Sequence, residues 1–441
     1  MRAVVAHPAP THVQAGAADQ GHVEMPRGAK RFIARHARFA LTLVLVAFIL
    51  RAIAAIVLHE VSIAEGGNGF YFKDDRVYDR LAWQQVEAWH GVGPDVRPAD
   101  EYLMNAYVYS EAAVYFVVGH HPLVMKLLNC FLGALTAGLV FLIARRLFGH
   151  RAGVFAGIAA AVFPSTFLWS LTSLKDALFI FAAALLIWLV TLLLTTGRWL
   201  LVIPVLAAFA LVGLRTHIQA MFTLLIPGSV LLQSRVRIPE KWALSAILLT
   251  SCWALLSVSG GVQWFGVQLG QVNRMRYCMA AGANSAYVAT SEAAAEECAA
   301  VEEAVPARSL REIVAWLPTG SIYVLAAPFP WTAEHTAERV TIPEMVLWYA
   351  AAILGLIGFG RQWRNWRRFI HLLGYIGGTF LLLALTQGNL GTLVRHRGMI
   401  IPFVLIFSGA GAVWLRSCWR GRQPVASSIP LDTPDVSHTA L

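Results

Sequence analysis

The chain has 441 residues, 57% of them hydrophobic and only 14% charged, with a formal net charge of +10. An ordinary soluble domain carries about 25% charge, so this composition excludes one. Apolar runs long enough to cross the ~30 Å hydrocarbon layer recur along the sequence, which points to a polytopic membrane protein. The basic excess then records which loops face the cytoplasm, and is not a footprint of nucleic acid.

Residues 1–36 lack apolar periodicity and read as a disordered cytoplasmic tail, as does 417–441. The first apolar stretch follows Arg27, Lys30, Arg31 and Arg35 and is too long for a signal-peptide core, so it reads as a retained anchor. Spans are expected near 38–59, 122–144, 152–172, 176–196, 199–214, 217–233, 242–259, 344–360, 369–386 and 398–415. With the N-terminus inside, every second loop is basic: Arg145/Arg146/Arg151, Arg198, Arg235/Arg237/Lys241, Arg361/Arg364/Arg367/Arg368 and Arg416/Arg420/Arg422. The expected fold is an all-α polytopic membrane protein of about ten transmembrane helices. A module over 37–259 contains a first outer loop at 60–121. A second long extracytoplasmic loop, 260–343, precedes the C-terminal helices of 344–416. The Tyr-rich segment 103–119 reads as lying on or dipping into the outer interface, because an eleventh crossing would invert every later loop. Arg51, inside the first span, is costly there and a functional candidate by default. Cys278 and Cys298 lie in the second outer loop, where they form a disulfide or remain two free thiols.

In the first outer loop, "FYFKDDRVYDRLAW" places Asp74 and Asp75 just before an amphipathic helix. Tyr78, Leu81, Ala82, Gln85 and Trp89 fall on one face of it, with Arg80, Gln84 and Glu87 on another. Acids there serve either as helix caps or in chemistry. Three other outer stretches retain cations that positive-inside bias should deplete. "SLKDAL" holds Lys175 and Asp176, "LRTHIQ" holds Arg215 and His217, and "GNLGTLVRHRGMIIP" holds Arg395, His396 and Arg397. Together they suggest an anion at the outer face, since Arg forks suit phosphate and Lys serves as a point charge. A carboxylate beside a clamped phosphate fits glycosyl transfer from a lipid phosphate: the acid deprotonates an acceptor hydroxyl, and the cations stabilise the departing phosphate. No glycine loop for nucleotide phosphates, no metal-spaced Cys/His cluster and no internal repeat is found in the sequence.

These features resemble the GT-C superfamily of polyprenyl-phosphate-dependent glycosyltransferases, in the branch of protein O-mannosyltransferases and lipid A aminoarabinose transferases. Asp74-Asp75-Arg76-Val77-Tyr78 is similar to that branch's D-E-x-x-Y pattern, with Asp replacing Glu. "HPLVMKLLNCFLGALTAGLVFLIARRLFGHRAGVFAGIAAAVFPSTFLWS" resembles its second and third spans, and "SLKDAL", "APFPW" and "GNLGTLVRHR" resemble a bacterial subgroup. The resemblance implies an inverting glycosyltransferase with Asp74 and Asp75 as catalytic carboxylates, Asp74 aligning with the family's Asp. Tyr78, Lys175, Asp176, Arg215, His217, Arg395 and Arg397 would bind substrate. Its partners would be a polyprenyl-phosphate sugar, a glycan, lipid or protein acceptor, and the bilayer, in the bacterial plasma membrane with an extracytoplasmic active site. No particular cofactor is implied, and a divalent metal is compatible with the chemistry. The family's large C-terminal soluble domain has no counterpart here beyond the 260–343 loop. Two rival readings are a polymerase using polyprenyl-diphosphate oligosaccharides and a lipid-linked sugar flippase.

Overall fold

The computed structural model describes residues 27–93, 106–232, 238–262, 269–281, 283, 285–288, 291–300, 306–331 and 336–420. The chain divides into two units, Met1–Phe39 and Ala40–Leu441. In the first, residues 27–39 are helical. Most of the two expected tails, 1–26 and 421–441, lies outside the described residues, as do Arg235 and Arg237. The described remainder of those tails, 27–36 and 417–420, is largely helical and not disordered, continuing the first and last apolar helices.

Helices α1 (Arg27–Ala64), α2 (Lys73–Trp89), α3 (Ala106–Val118), α4 (Pro122–Phe148), α5 (His150–Val162), α6 (Pro164–Leu168) and α7 (Lys175–Thr196) occur in that order. α8 (Val202–Leu211), α9 (Thr216–Leu232), α10 (Ile238–Val258), α11 (Leu269–Ala280), α12 (Ser291–Ala300) and α13 (Pro306–Ala326) follow. α14 (Thr336–Gln362), α15 (Ile370–Thr386), α16 (Leu390–Arg397) and α17 (Ile401–Trp419) complete the chain. Among the described residues there is no strand, only an isolated bridge between Ala286 and Asn389. The protein is therefore all-α, and its apolar helices make it a multi-pass membrane protein.

Among the described residues, seven helical runs are long and apolar enough to span a membrane, or eight if the bent pair His150–Val162 and Pro164–Leu171 is one crossing. The expected count of about ten is not reached this way, since two of these runs each hold two expected spans. Trp199–Leu232 is interrupted by the 3-10 turn Val212–Arg215, and Arg339–Thr386 by the turn Trp363–Phe369, where Asn365 leaves helical geometry (φ −101°, ψ 19°). The 48-residue run would extend roughly 72 Å as one rod, more than twice the hydrocarbon thickness.

Third-span expectations change as well. Residues 152–172 do not form a straight rod: α5 and the following turn meet at 59°. Pro164 cannot donate to the carbonyl four residues back, and its ring pushes Phe163 into extended geometry (φ −62°, ψ 127°). By contrast, α3 is 13 residues, about 20 Å, too short to cross. That length suits the surface placement expected for 103–119.

Close helix contacts use small residues. A Cβ on Gly358 would meet the Phe407 carbonyl oxygen at 2.1 Å, and one on Gly411 would meet that of Leu354 at 2.0 Å, so α14 and α17 approach backbone to backbone. The 260–343 segment is more structured than a loop. Cys278 and Cys298 are disulfide-bonded, joining α11 to α12, and α13 and α11 both pack on α15.

Candidate active site

α2 lies on α3, and its buried face carries Asp75, Tyr78, Asp79, Leu81, Ala82 and Val86. The stripe is rotated from the expected one: Val86 is buried where Gln85 was expected, and Trp89 is exposed. The reason is that Asp75, Asp79 and Val86 also face inward, so two carboxylates share a buried face that hydropathy assigns to apolar side chains.

Four stretches far apart in sequence converge at the start of α2. Arg395, in α16, donates from Nη1 to Oδ2 of Asp74 at 2.7 Å and from Nε to Oδ2 of Asp176 at 2.7 Å. Arg215 donates from Nη2 to the other Asp176 oxygen at 2.7 Å. Asp176 and Arg215 are buried, whereas the Asp74 side chain is 54% exposed. Asp176 is thus the hub that holds two guanidiniums side by side, and Arg395 is the link to the first loop. Lys175 Nζ sits 6.0 Å from the centre of the Tyr78 ring. Tyr78 lies within reach of the charges on Asp74, Arg395, Asp176 and Arg215, and burial followed by the Asp74 charge pushes its phenol up to about 12. It therefore stays a hydroxyl donor at neutral pH. His217, in the first turn of α9, feels the charges of Arg215 and Lys175.

Backbone anchoring fixes these side chains. Asn129, on α4, donates to the carbonyls of Thr172 at 2.6 Å and Leu174 at 3.0 Å and to the Tyr107 hydroxyl at 3.0 Å. This pins the extended residues before α7 and so aims Lys175 and Asp176. On the other side, the Asn389 carboxamide oxygen caps α16, accepting from the backbone N–H of Gly391 at 2.8 Å and Thr392 at 3.4 Å. Tyr287 N–H donates to the Gly388 carbonyl and Tyr287 Oη to that of Gln387, so the segment between α11 and α12 clamps the turn that carries Arg395. A Cβ on Gly388 would meet the Arg276 carbonyl oxygen at 2.1 Å, which explains glycine in "GNLGTLVRHR".

Asp75 occupies a different place from Asp74. Its Oδ1 accepts from the Phe72 N–H at 3.2 Å, an N-terminal capping role, and burial pushes its carboxyl up, against that N–H and the Lys126 charge. It lines a cavity of about 140 Å³ with Tyr71, Phe72, Lys126, Leu168 and Thr172 among its walls. Lys126 Nζ donates to the Gly69 carbonyl and lies 3.2 Å from His59 Nδ1. Sequence reasoning passed over Lys126 and Asn129 because they sit in an otherwise apolar run, although a polar side chain inside a span is itself a signal.

Arg397 is not brought to the cluster. Its guanidinium donates to the carbonyls of Tyr323 (3.2 Å) and Ala327 and lies against Met345 Sδ (2.9 Å), tying α16 to α13 and α14. Arg51 is likewise bound to protein, donating to Ser170 Oγ at 3.0 Å and to the carbonyls of Ala47 and Ala160 at 3.3 and 3.5 Å. Among the described residues no group of three or more His, Cys, Asp or Glu side chains is arranged to hold a metal ion. Both Asp176 oxygens and one Asp74 oxygen are taken by guanidiniums.

Residues 104–264 match the family described as dolichyl-phosphate-mannose-protein mannosyltransferase. The matched stretch includes Lys175, Asp176 and Arg215 and stops short of Asp74 and Arg395. Among solved structures, one of ArnT from Cupriavidus metallidurans bound to undecaprenyl phosphate aligns at 13% identity, covering 87% of this chain and 78% of that one, with a TM-score of 0.32. No curated protein matches the chain. The stretch 104–264, running from the expected first outer loop to just before α11, is thus similar to a family of lipid-phosphate-sugar glycosyltransferases.

Proposed function

We propose that the chain is a GT-C glycosyltransferase that moves a sugar, with inversion, from a polyprenyl-phosphate donor to a hydroxyl of an extracytoplasmic glycan, lipid or protein. The enzyme would sit in the bacterial plasma membrane with the cluster opening outward. The observation that carries the reading is the Arg395 guanidinium shared between Asp74 and Asp176, with Arg215 on the second Asp176 oxygen. The family description, dolichyl-phosphate mannose as donor, agrees in donor class.

The charges suggest how donor binding and base activation are coupled. Arg215, Arg395 and Lys175 supply three cations against the carboxylates of Asp74 and Asp176, leaving one net positive charge for an incoming phosphate. Asp176 is buried and keeps Arg215 and Arg395 oriented. Asp74 is the exposed partner, so its bond to Arg395 is the one a phosphate displaces. A phosphate taking Arg395 Nη1 would free the Asp74 carboxylate at the moment the anomeric carbon arrives. Asp74 then accepts the acceptor hydroxyl's proton as the new C–O bond forms and the bond from carbon to the phosphate oxygen breaks. The charge growing on the leaving phosphate falls on Arg395, Arg215 and Lys175, and the Tyr78 hydroxyl is placed to donate to it.

Mass spectrometry of lipid-linked sugars in a strain lacking the protein tests this. A polyprenyl-phosphate sugar should accumulate while one envelope glycan loses a residue, and both should be restored by the wild-type chain. Accumulation of a polyprenyl-diphosphate oligosaccharide instead would assign the chain to polymerisation.

A further inference from the structure

At the end of the helices opposite Asp74 and Arg395, α5 begins and α17 ends. There Arg151, Val154, Phe155, Ile158 and Ala159 of α5 face Ala412, Val413, Arg416, Ser417 and Arg420 of α17 across a cavity of about 410 Å³. It shares Phe155 and Ala159 with a second cavity of about 200 Å³, walled further along by Val162, Phe163, Leu347, Leu354 and Leu405. The two form one slot, basic at its mouth and apolar along its length, with α5 and α14 as sides and α17 between them. On α5 the lining residues 151, 154, 155, 158, 159 and 162 follow helical spacing, so the basic mouth and the apolar wall belong to one face. From Arg151 to Phe163 the slot extends about 18 Å, the reach of a long acyl chain.

The three arginines set the ligand chemistry. Among the described residues, no carboxylate lies within ion-pair distance of Arg151, Arg416 or Arg420. Positive-inside bias accounts for arginines on this side of the membrane. It does not account for three of them converging on one cavity that continues as an apolar slot. Guanidiniums held together repel, and a phosphate offsets that repulsion while matching their donor forks. Basic pockets between spanning helices on the cytoplasmic side suit anionic lipid headgroups.

We propose that the slot between α5, α14 and α17 seats one acyl chain of an anionic glycerophospholipid of the cytoplasmic leaflet, its phosphate held by Arg151, Arg416 and Arg420. The site stands apart from the sugar-transfer cluster and does not depend on it. Bound lipid would brace α5 against α14 and α17, and so hold the bend that leads into Lys175 and Asp176.

The test uses the full-length chain, delipidated in detergent, then offered phosphatidylglycerol or phosphatidylcholine of matched chains and examined by native mass spectrometry. The wild type should retain one phosphatidylglycerol in preference to phosphatidylcholine. Because each surface arginine is worth roughly fivefold to an anionic lipid, R151Q/R416Q/R420Q should weaken retention by about a hundredfold. Ala159→Phe leaves the charges intact but blocks the slot where its two parts meet, and should also abolish the preference. Equal retention of both lipids by the wild type would overturn the proposal. So would unchanged selectivity in A159F, which would mean a basic surface attracting lipid without seating it. If the triple variant does not fold, Arg416→Gln and A159F are compared instead, and the same outcomes decide.

Discussion

At the scale of single residues, the most informative side chain is one that hydropathy hides. Glu111 is buried on α3, and Tyr115 Oη lies 2.7 Å from Asp79 Oδ1 and 3.1 Å from Glu111 Oε1. A hydroxyl has one proton, so the two contacts are satisfied together when Tyr115 donates to Asp79 and a protonated Glu111 donates to Tyr115. Burial, then the Asp79 charge, pushes the Glu111 carboxyl up to about 9. The sign follows from linkage: the folded state keeps a proton that the unfolded state gives up, so this contribution to stability is full below the ordinary carboxylate pKa. It is lost as pH rises through about 9. Melting of the purified protein from pH 5 to 9 should therefore show a decline that Glu111→Gln flattens, since Gln donates without titrating. An identical slope in the variant would mean Glu111 is ionised in the folded state. The same scale shows what the sequence could and could not reveal. Lys175, Arg215 and Arg395, singled out as cations expected outside against the positive-inside bias, do lie near one another. Their partners were not legible, because Asp176 as a shared acceptor depends on where four distant helix ends meet. Arg397 was misassigned for a local reason: two residues from Arg395 on one short helix, it projects about 200° away and reaches carbonyls instead.

At the scale of elements, the bend between α5 and α6 decides the site's geometry, because it delivers the chain to Lys175. Pro164 leaves the Ala160 carbonyl without its usual helical donor. Thr166 Oγ1 at 3.1 Å and Arg51 Nη2 at 3.5 Å take that carbonyl, and Arg51 Nε fixes Ser170 in the following turn. Arg51 thus braces the bend. Arg51→Leu should lower stability by about 1–3 kcal/mol, the penalty for leaving buried acceptors unpaired. Sugar transfer should fall in parallel as Lys175 and Asp176 lose their placement. A variant that melts like wild type but loses transfer would return Arg51 to the substrate site. Proline in "AVFPSTFLWS" signalled a break; the cation that completes it lies over 100 residues earlier and was legible only as an unexplained charge.

At the scale of the whole molecule, composition and the recurring apolar runs pointed to an all-α membrane protein, while the number of crossings depends on how the two long broken runs are divided. If Trp199–Leu232 and Arg339–Thr386 each cross twice, the basic turn at 363–369 faces the cytoplasm together with 145–151. Periplasm-active reporters fused after residue 110 should then be active, and fusions after residues 148 and 366 silent. An active fusion at 148 would mean that 103–119 crosses.

The central claim is that Asp74, released from Arg395 by the donor phosphate, is the base of glycosyl transfer. Transfer from a radiolabelled polyprenyl-phosphate sugar by reconstituted Asp74→Asn protein tests it most directly, because the Asn carboxamide matches Asp in size and still accepts from Arg395 but is no base. The rate should fall by roughly 10²–10⁴-fold with unchanged melting, while Asp75→Asn impairs less. Transfer at the wild-type rate by a folded Asp74→Asn enzyme would contradict the account.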